Sequence, residues 1–256
     1  MPVGRSDVIG KHYFPFSKQM LARIGPQNSP LAMMLSPLAI QAFVYQADDF
    51  TGDAANLDNW TMGETGTGTP FAIPATGLVG GALTGVTGTT SGNCETARGY
   101  RVWAGDNNCV LEVRIKLDVI TTLSLEIGWI DTADDLGLPS VSDVDTPAFA
   151  AGVADAAVLH IDTSQTLTTM AFVTDGSTSN MNATATTLSP TFTPTAATYH
   201  TYRVGIAGDQ AFAMVDGGRL VSHGALIGSR VEGGTLMRPF IAARTRTAGA
   251  KTSDWD

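Results

Sequence analysis

Hydrophobic and polar residues alternate most regularly over Val110–Val119, VLEVRIKLDV. Val113, Ile115, Leu117 and Val119 interleave there with Glu112, Arg114, Lys116 and Asp118. A period of two predicts a strand with one face in the core and the other in water. LSLEIGWI, at 123–130, keeps the parity with Leu123, Leu125, Ile127 and Trp129, so Glu126 falls on the wet side as a solubilising residue. IDTSQTLTTMAFVTDGS adds a pair of strands, and TYHTYRVGIAGDQAFAMVDGGRLVSHG adds three, turning at Gly208-Asp209 and Asp216-Gly217-Gly218. Turn residues of that kind between alternating runs mark antiparallel hairpins. MRPFIAARTRT is a late strand with Pro239 near its start, where a missing N–H is tolerable. Many short strands and no helical crossover indicate an all-β, two-sheet antiparallel sandwich. Two stretches are less regular. The Gly/Thr-rich 65–92 reads either as flat strands or as a long loop, and 132–155 as an excursion with room for one short helix.

The first 47 residues do not follow this texture and read as an N-terminal arm, with the sandwich at 48–256. Tyr13, Phe14 and Phe16 crowd a short window, and SPLA occurs twice, at 29–32 and 36–39. Ser-Pro opens helices, but two openings this close predict short turns or an extended path. The apolar side chains of such an arm need a surface on the domain or on another subunit. Tyr13, Phe14, Phe16, Met33, Met34, Leu38 and Phe43 are the candidate partner interface.

Composition sharpens the division. The 256 residues carry a net charge of −9. Arg5, Lys11, Lys18 and Arg23 against Asp7 make the arm +3 (4 − 1), which leaves −12 for the remainder (−9 − 3). An acidic body does not suit nucleic acid. No apolar run is long enough for a membrane helix, and the apolar stretch from Ser29 starts too deep and is too broken by Pro30 and Pro37 for a signal peptide. Cys94 and Cys109 lack zinc-ligand spacing and read as free, part-buried thiols of a reducing compartment.

Candidate chemistry is sparse. Glycoside hydrolysis needs two carboxyl groups about 5–5.5 Å or roughly 6.5–9.5 Å apart. Glu126 and Asp131 have odd spacing, which sets them on opposite faces of a regular strand, and the same-face neighbours of Glu126 are Ser124 and Gly128. His12, His160, His200 and His223 are scattered, and Asp131, Asp134 and Asp135 lack a calcium-loop pattern. The Gly-rich runs precede no helix and make no phosphate cradle. No catalytic, cofactor-binding or metal-binding residue is therefore assigned, and no enzyme is expected. Trp129 sits in core parity, while Trp60, Trp103 and Trp255 fall at strand edges, where packing explains them as well as a sugar platform does.

The order of the pieces resembles the concanavalin A-like lectin/glucanase jelly rolls. DDFTGDAANLDNW is similar to their opening strand and LEVRIKLDVITTLSLEIGWID to their central pair. TYHTYRVGIAGDQAFAMVDGGRLV is similar to a hairpin with a DG turn, and RPFIAARTRTAGAKTSDWD to the closing strands. The last strand stops at DWD where the family's runs on, so an edge left open there would need a cover such as the arm. The plain texture and apolar arm further resemble virion proteins of tailed bacteriophages. That resemblance implies a non-enzymatic capsid decoration or cement protein on the outer virion surface, assembled in the host cytoplasm. Its expected partners are a major capsid protein or other virion protein and copies of itself, with a trimer by analogy. A carbohydrate-binding fibre module is the alternative, with a glycan as partner, and a glycoside hydrolase the remaining one. No nucleic acid, membrane or cofactor is expected.

Overall fold

The computed structural model describes residues 8–9, 12–13, 60–74, 82–132, 140–143, 148–150, 152–164, 169–176, 184–223, 231–247 and 249–255. The chain divides into two compact units, Met1–Asp48 and Asp49–Asp256. In the first, β1 (Val8–Ile9) pairs antiparallel with β2 (His12–Tyr13). The other six arm residues of the candidate partner interface, and the side chain of Tyr13, lie outside the described residues, as does the expected opening strand up to Asn59.

The second unit is built from strands. In chain order they are β3 (Thr61–Thr65), β4 (Thr69–Ala72), β5 (Leu83–Val86), β6 (Cys94–Arg98), β7 (Trp103–Ala104), β8 (Cys109–Leu117), β9 (Leu123–Ile130), β10 (Val141–Asp143) and β11 (Ala148–Phe149). There follow β12 (Ala156–Asp162), β13 (Ala171–Asp175), β14 (Thr184–Thr187), β15 (Tyr199–Ala207), β16 (Gln210–Val215), β17 (Arg219–His223), β18 (Leu236–Thr245) and β19 (Thr252–Trp255). The first sheet runs β14-β13-β12-β9-β18-β6-β3, with β7 also on β18, and the second runs β17-β16-β15-β8-β19-β5-β4. The pairings within both sheets are antiparallel. This is the two-sheet, concanavalin A-like sandwich.

The expected parity holds on the inner faces. Leu125, Ile127 and Trp129 of β9 meet Leu159, Phe172 and Ile241 of their own sheet, and Ile115, Tyr202, Val204 and Trp255 of the other, in one buried core. Trp129 Nε1 donates to Val204 O at 2.9 Å, tying the layers together. Both expected turns form: Gly208 (φ 60°) links β15 to β16, and Asp216 and Gly217 (φ 50° and 71°) link β16 to β17. Within 65–92, β4 and β5 are strands rather than one long loop.

One expectation gains detail and two are corrected. The 132–155 excursion carries a small antiparallel hairpin, β10 with β11, and among its described residues no helix. That hairpin has somewhere to go: Val141, Phe149 and Val153 pack with Ile130, Val158, Val173 and Phe240 as a second apolar cluster on the outer face of the first sheet. The outer face of β9 is consequently not wet, and all eight of its residues are buried. Finally, the closing strand is no open edge. β19 lies between β8 and β5, paired to both.

Candidate functional site

Because the first sheet is covered on both faces, the polar residues of its outer face are buried in a row. β12 sets His160 opposite Glu126 and Asp162 opposite Ser124; on the other side β18 sets Ala242 opposite Glu126 and Arg244 opposite Ser124. Glu126 is 0 % exposed. Its Oε2 accepts from Ser140 N–H at 2.6 Å and Ser140 Oγ–H at 2.8 Å, and its Oε1 from Val141 N–H at 2.7 Å. His160 Nδ1 stands 3.2 Å from the same Oε1, off the line of a hydrogen bond. The carboxylate thus anchors the start of β10 rather than solubilising a strand.

The neighbouring position on this face is closed to a second acid. A Cβ added at Gly128 would come within 2.1 Å of Ala157 O, so β9 and β12 approach too closely there for any side chain. The second carboxyl group on the face comes from the next strand instead. Asp162 is diagonal to Glu126, at the roughly 7–8 Å α-carbon spacing of such neighbours. Asp162 Oδ1 accepts from Ser164 N–H (2.9 Å) and Oγ–H (2.8 Å) and lies 3.1 Å from Arg246 Nε. Parity along a single strand has no means of finding this pair, because the two acids lie on different strands.

Cys94, on the same face, is free and buried, as is Cys109 on the second sheet. Burial pushes the Cys94 thiol well up, and the Glu126 and Glu95 carboxyl groups add to the shift. His200 is a half-buried packing residue: its edge meets Phe192, its Nδ1 is 2.8 Å from Asp216 Oδ2, and its Nε2 accepts from Thr195 N–H. Trp60 and Trp103 pack against the core, and Trp255 is within it. Among the described residues, no three His, Cys, Asp or Glu side chains are placed to hold a metal ion.

A separate, exposed feature lies at one end of the first sheet. β6 and β7 both run along β18, with Gly99 N–H donating to Pro239 O and Trp103 opposite Met237. Between these points three residues, Tyr100, Arg101 and Val102, face the single residue Arg238. The surplus is looped outward. Tyr100 is 55 % exposed and Val102 60 %, and Leu236 at the start of β18 is 50 % exposed. Arg101 Nε donates to Leu236 O at 2.9 Å, which pins its guanidinium beside them. Sequence reasoning missed Tyr100 by searching for platforms among tryptophans. The signal was Gly99, which interrupts CETAR before WAG and leaves a tyrosine with no place in either alternation.

No protein-family model matches the chain, and no curated protein matches its sequence. Solved structures do. The potassium-bound Emp46p carbohydrate recognition domain aligns with a TM-score of 0.53 at 9 % identity, over 81 % of this chain and 93 % of its own. The catalytic domain of an endo-1,3-β-glucanase (laminarinase) from Thermotoga petrophila RKU-1 aligns at 0.52 and 9 %, over 82 % and 93 %. The Bacillus licheniformis β-glucanase aligns at 0.50 and 13 %, over 81 % and 94 %. Likeness at such identities is likeness of fold, and none of these three is a virion protein. The expectation that the chain is no enzyme is corrected by the same findings: two of the three that share its fold are glucanases. The premise behind that expectation, a lone Glu126 on a wet face, also fails, since Glu126 is buried with Asp162 diagonal to it. What this chain is similar to is a sandwich on which both carbohydrate recognition and glucan cleavage are built.

Proposed function

We propose that the protein binds carbohydrate, and that the outward loop between β6 and β7 is where the sugar lies. The observation that carries this is the exposure of Tyr100 next to a pinned Arg101. A sugar ring has an apolar C–H face and a rim of hydroxyl groups. An exposed tyrosine ring takes the first, in a segment that also exposes Val102 and Leu236, and a guanidinium held in place takes the second. The solved structures that share the fold lend support, because they include a carbohydrate recognition domain and two enzymes of glucan chemistry.

The test is a glycan array probed with the full chain, followed by calorimetry on the oligosaccharides that bind. Tyr100→Ala is expected to weaken binding at least tenfold, about 1.4 kcal/mol. Equal affinity of wild type and Tyr100→Ala, or no binding to any glycan, would overturn the reading.

A further inference from the structure

Resting on that reading, we infer that the sugar taken by this loop is an acidic one, whose carboxylate is held by Arg101. Among the described residues the guanidinium is anchored through Nε, which donates to the main-chain carbonyl of Leu236. Neither Nη1 nor Nη2 hydrogen-bonds to the described residues, and Arg101 is exposed. A guanidinium fixed at its inner nitrogen presents its outer edge as a planar fork, the geometry that matches a carboxylate with two parallel N–H···O bonds. Neutral hydroxyl groups accept from such a fork without the help of a full charge and gain less from it.

The setting adds to the preference. The body of the chain is strongly acidic, so an anionic ligand is repelled over most of the surface. At the loop the exposed charge is the cation of Arg101. Tyr100 and Val102 flank the charge along the chain, one on either side. A sugar lying on Tyr100 meets Arg101 as the next side chain along the chain.

The experiment compares oligogalacturonate and oligoglucuronate with their methyl esters, which keep the ring and remove the charge, by calorimetry on the full chain. The wild type is expected to prefer an acid to its ester at least tenfold in about 50 mM salt, and the preference to shrink several-fold in about 500 mM salt as the charge is screened. Arg101→Met is expected to reduce the acid-to-ester ratio to about 1, and Arg101→Lys to leave an intermediate ratio, because an ammonium offers charge without the fork. Acid and ester binding equally, with no salt effect on the ratio, would sink the inference and leave carbohydrate binding standing. A ratio unchanged in Arg101→Met would sink it as well. If no acid, ester or neutral glycan binds, both readings fall together.

Discussion

Glu95 is a carboxyl group facing the interior of the sandwich. It is 0 % exposed, accepts from Ser253 Oγ–H at 3.2 Å, and stands where a Cβ on Gly85 would come within 2.0 Å of its Oε2. Burial raises its pKa from 4.5 to about 9, the Ser253 hydrogen bond opposes the rise, and Asp118 and Glu64 reinforce it. The folded protein therefore holds a proton that the unfolded chain has released. Between the two values the unfolded state binds fewer protons, so stability is full below about pH 4.5 and is lost as pH climbs toward 9. The slope is at most about 1.4 kcal/mol per pH unit. Glu95→Gln keeps the shape without the ionisation. We expect its urea-unfolding free energy to vary less between pH 5 and pH 9, and to exceed the wild-type value at pH 8 by on the order of 3 kcal/mol. Parallel pH profiles for the two proteins would show that Glu95 carries no such burden. Parity alone puts Glu126 in water and says nothing of Glu95. It reports which residues share a face but not what covers that face, and in this protein one acid is inside the sandwich and the other under a hairpin.

At the scale of elements, legibility follows sequence distance. Strands β8, β9, β15, β16 and β18 were readable because each carries its own alternation or its own turn. The cover over β9 was not, since the residues that make it, Val141, Phe149 and Val153, form no periodic run and gain their meaning only from contact with Ile130, Val158 and Phe240. The looped residues 100–102 were hidden for a related reason, because the surplus exists only relative to β18. The cover depends on Glu126 as its polar anchor. Glu126→Ala would leave the N–H groups of Ser140 and Val141 without their acceptor in a buried site, at about 1–3 kcal/mol each. The expected result is a loss of roughly 3 kcal/mol in urea, with faster amide exchange at 140–141 and 148–150 while β15 and β16 stay protected. Exchange that rises uniformly over the whole sandwich would show that the hairpin is no separate unit.

For the whole molecule, the second sheet closes through the end of the chain. β19 joins the block β17-β16-β15-β8 to the pair β5-β4, so these parts of the sheet are neighbours only through residues 252–255. The joint is strengthened on both faces. Trp255 is buried in the core opposite Leu83 and Ile115, whereas Asp254 takes a hydrogen bond from Thr84 Oγ1 at 2.7 Å and an ion pair from Lys116 at 2.6 Å. Thr252 N–H donates to Asp118 and Lys251 N–H to Thr87. A sheet joined in this way has to be assembled after most of the chain is in place, which favours slow, cooperative folding. Two changes at this strand separate the packing contribution from the connectivity. Trp255→Ala removes the ring but keeps the ladder and is expected to cost about 3–5 kcal/mol, a large part of the roughly 5–15 kcal/mol that holds a domain together. Deleting 252–256 removes the joint itself, and we expect loss of the near-ultraviolet circular dichroism of the buried aromatics and no cooperative melt. A truncated chain that still melts cooperatively with a native near-ultraviolet spectrum would mean that β8 and β5 hold together without the strand between them, and that the central place of β19 in its sheet is not what stabilises the fold.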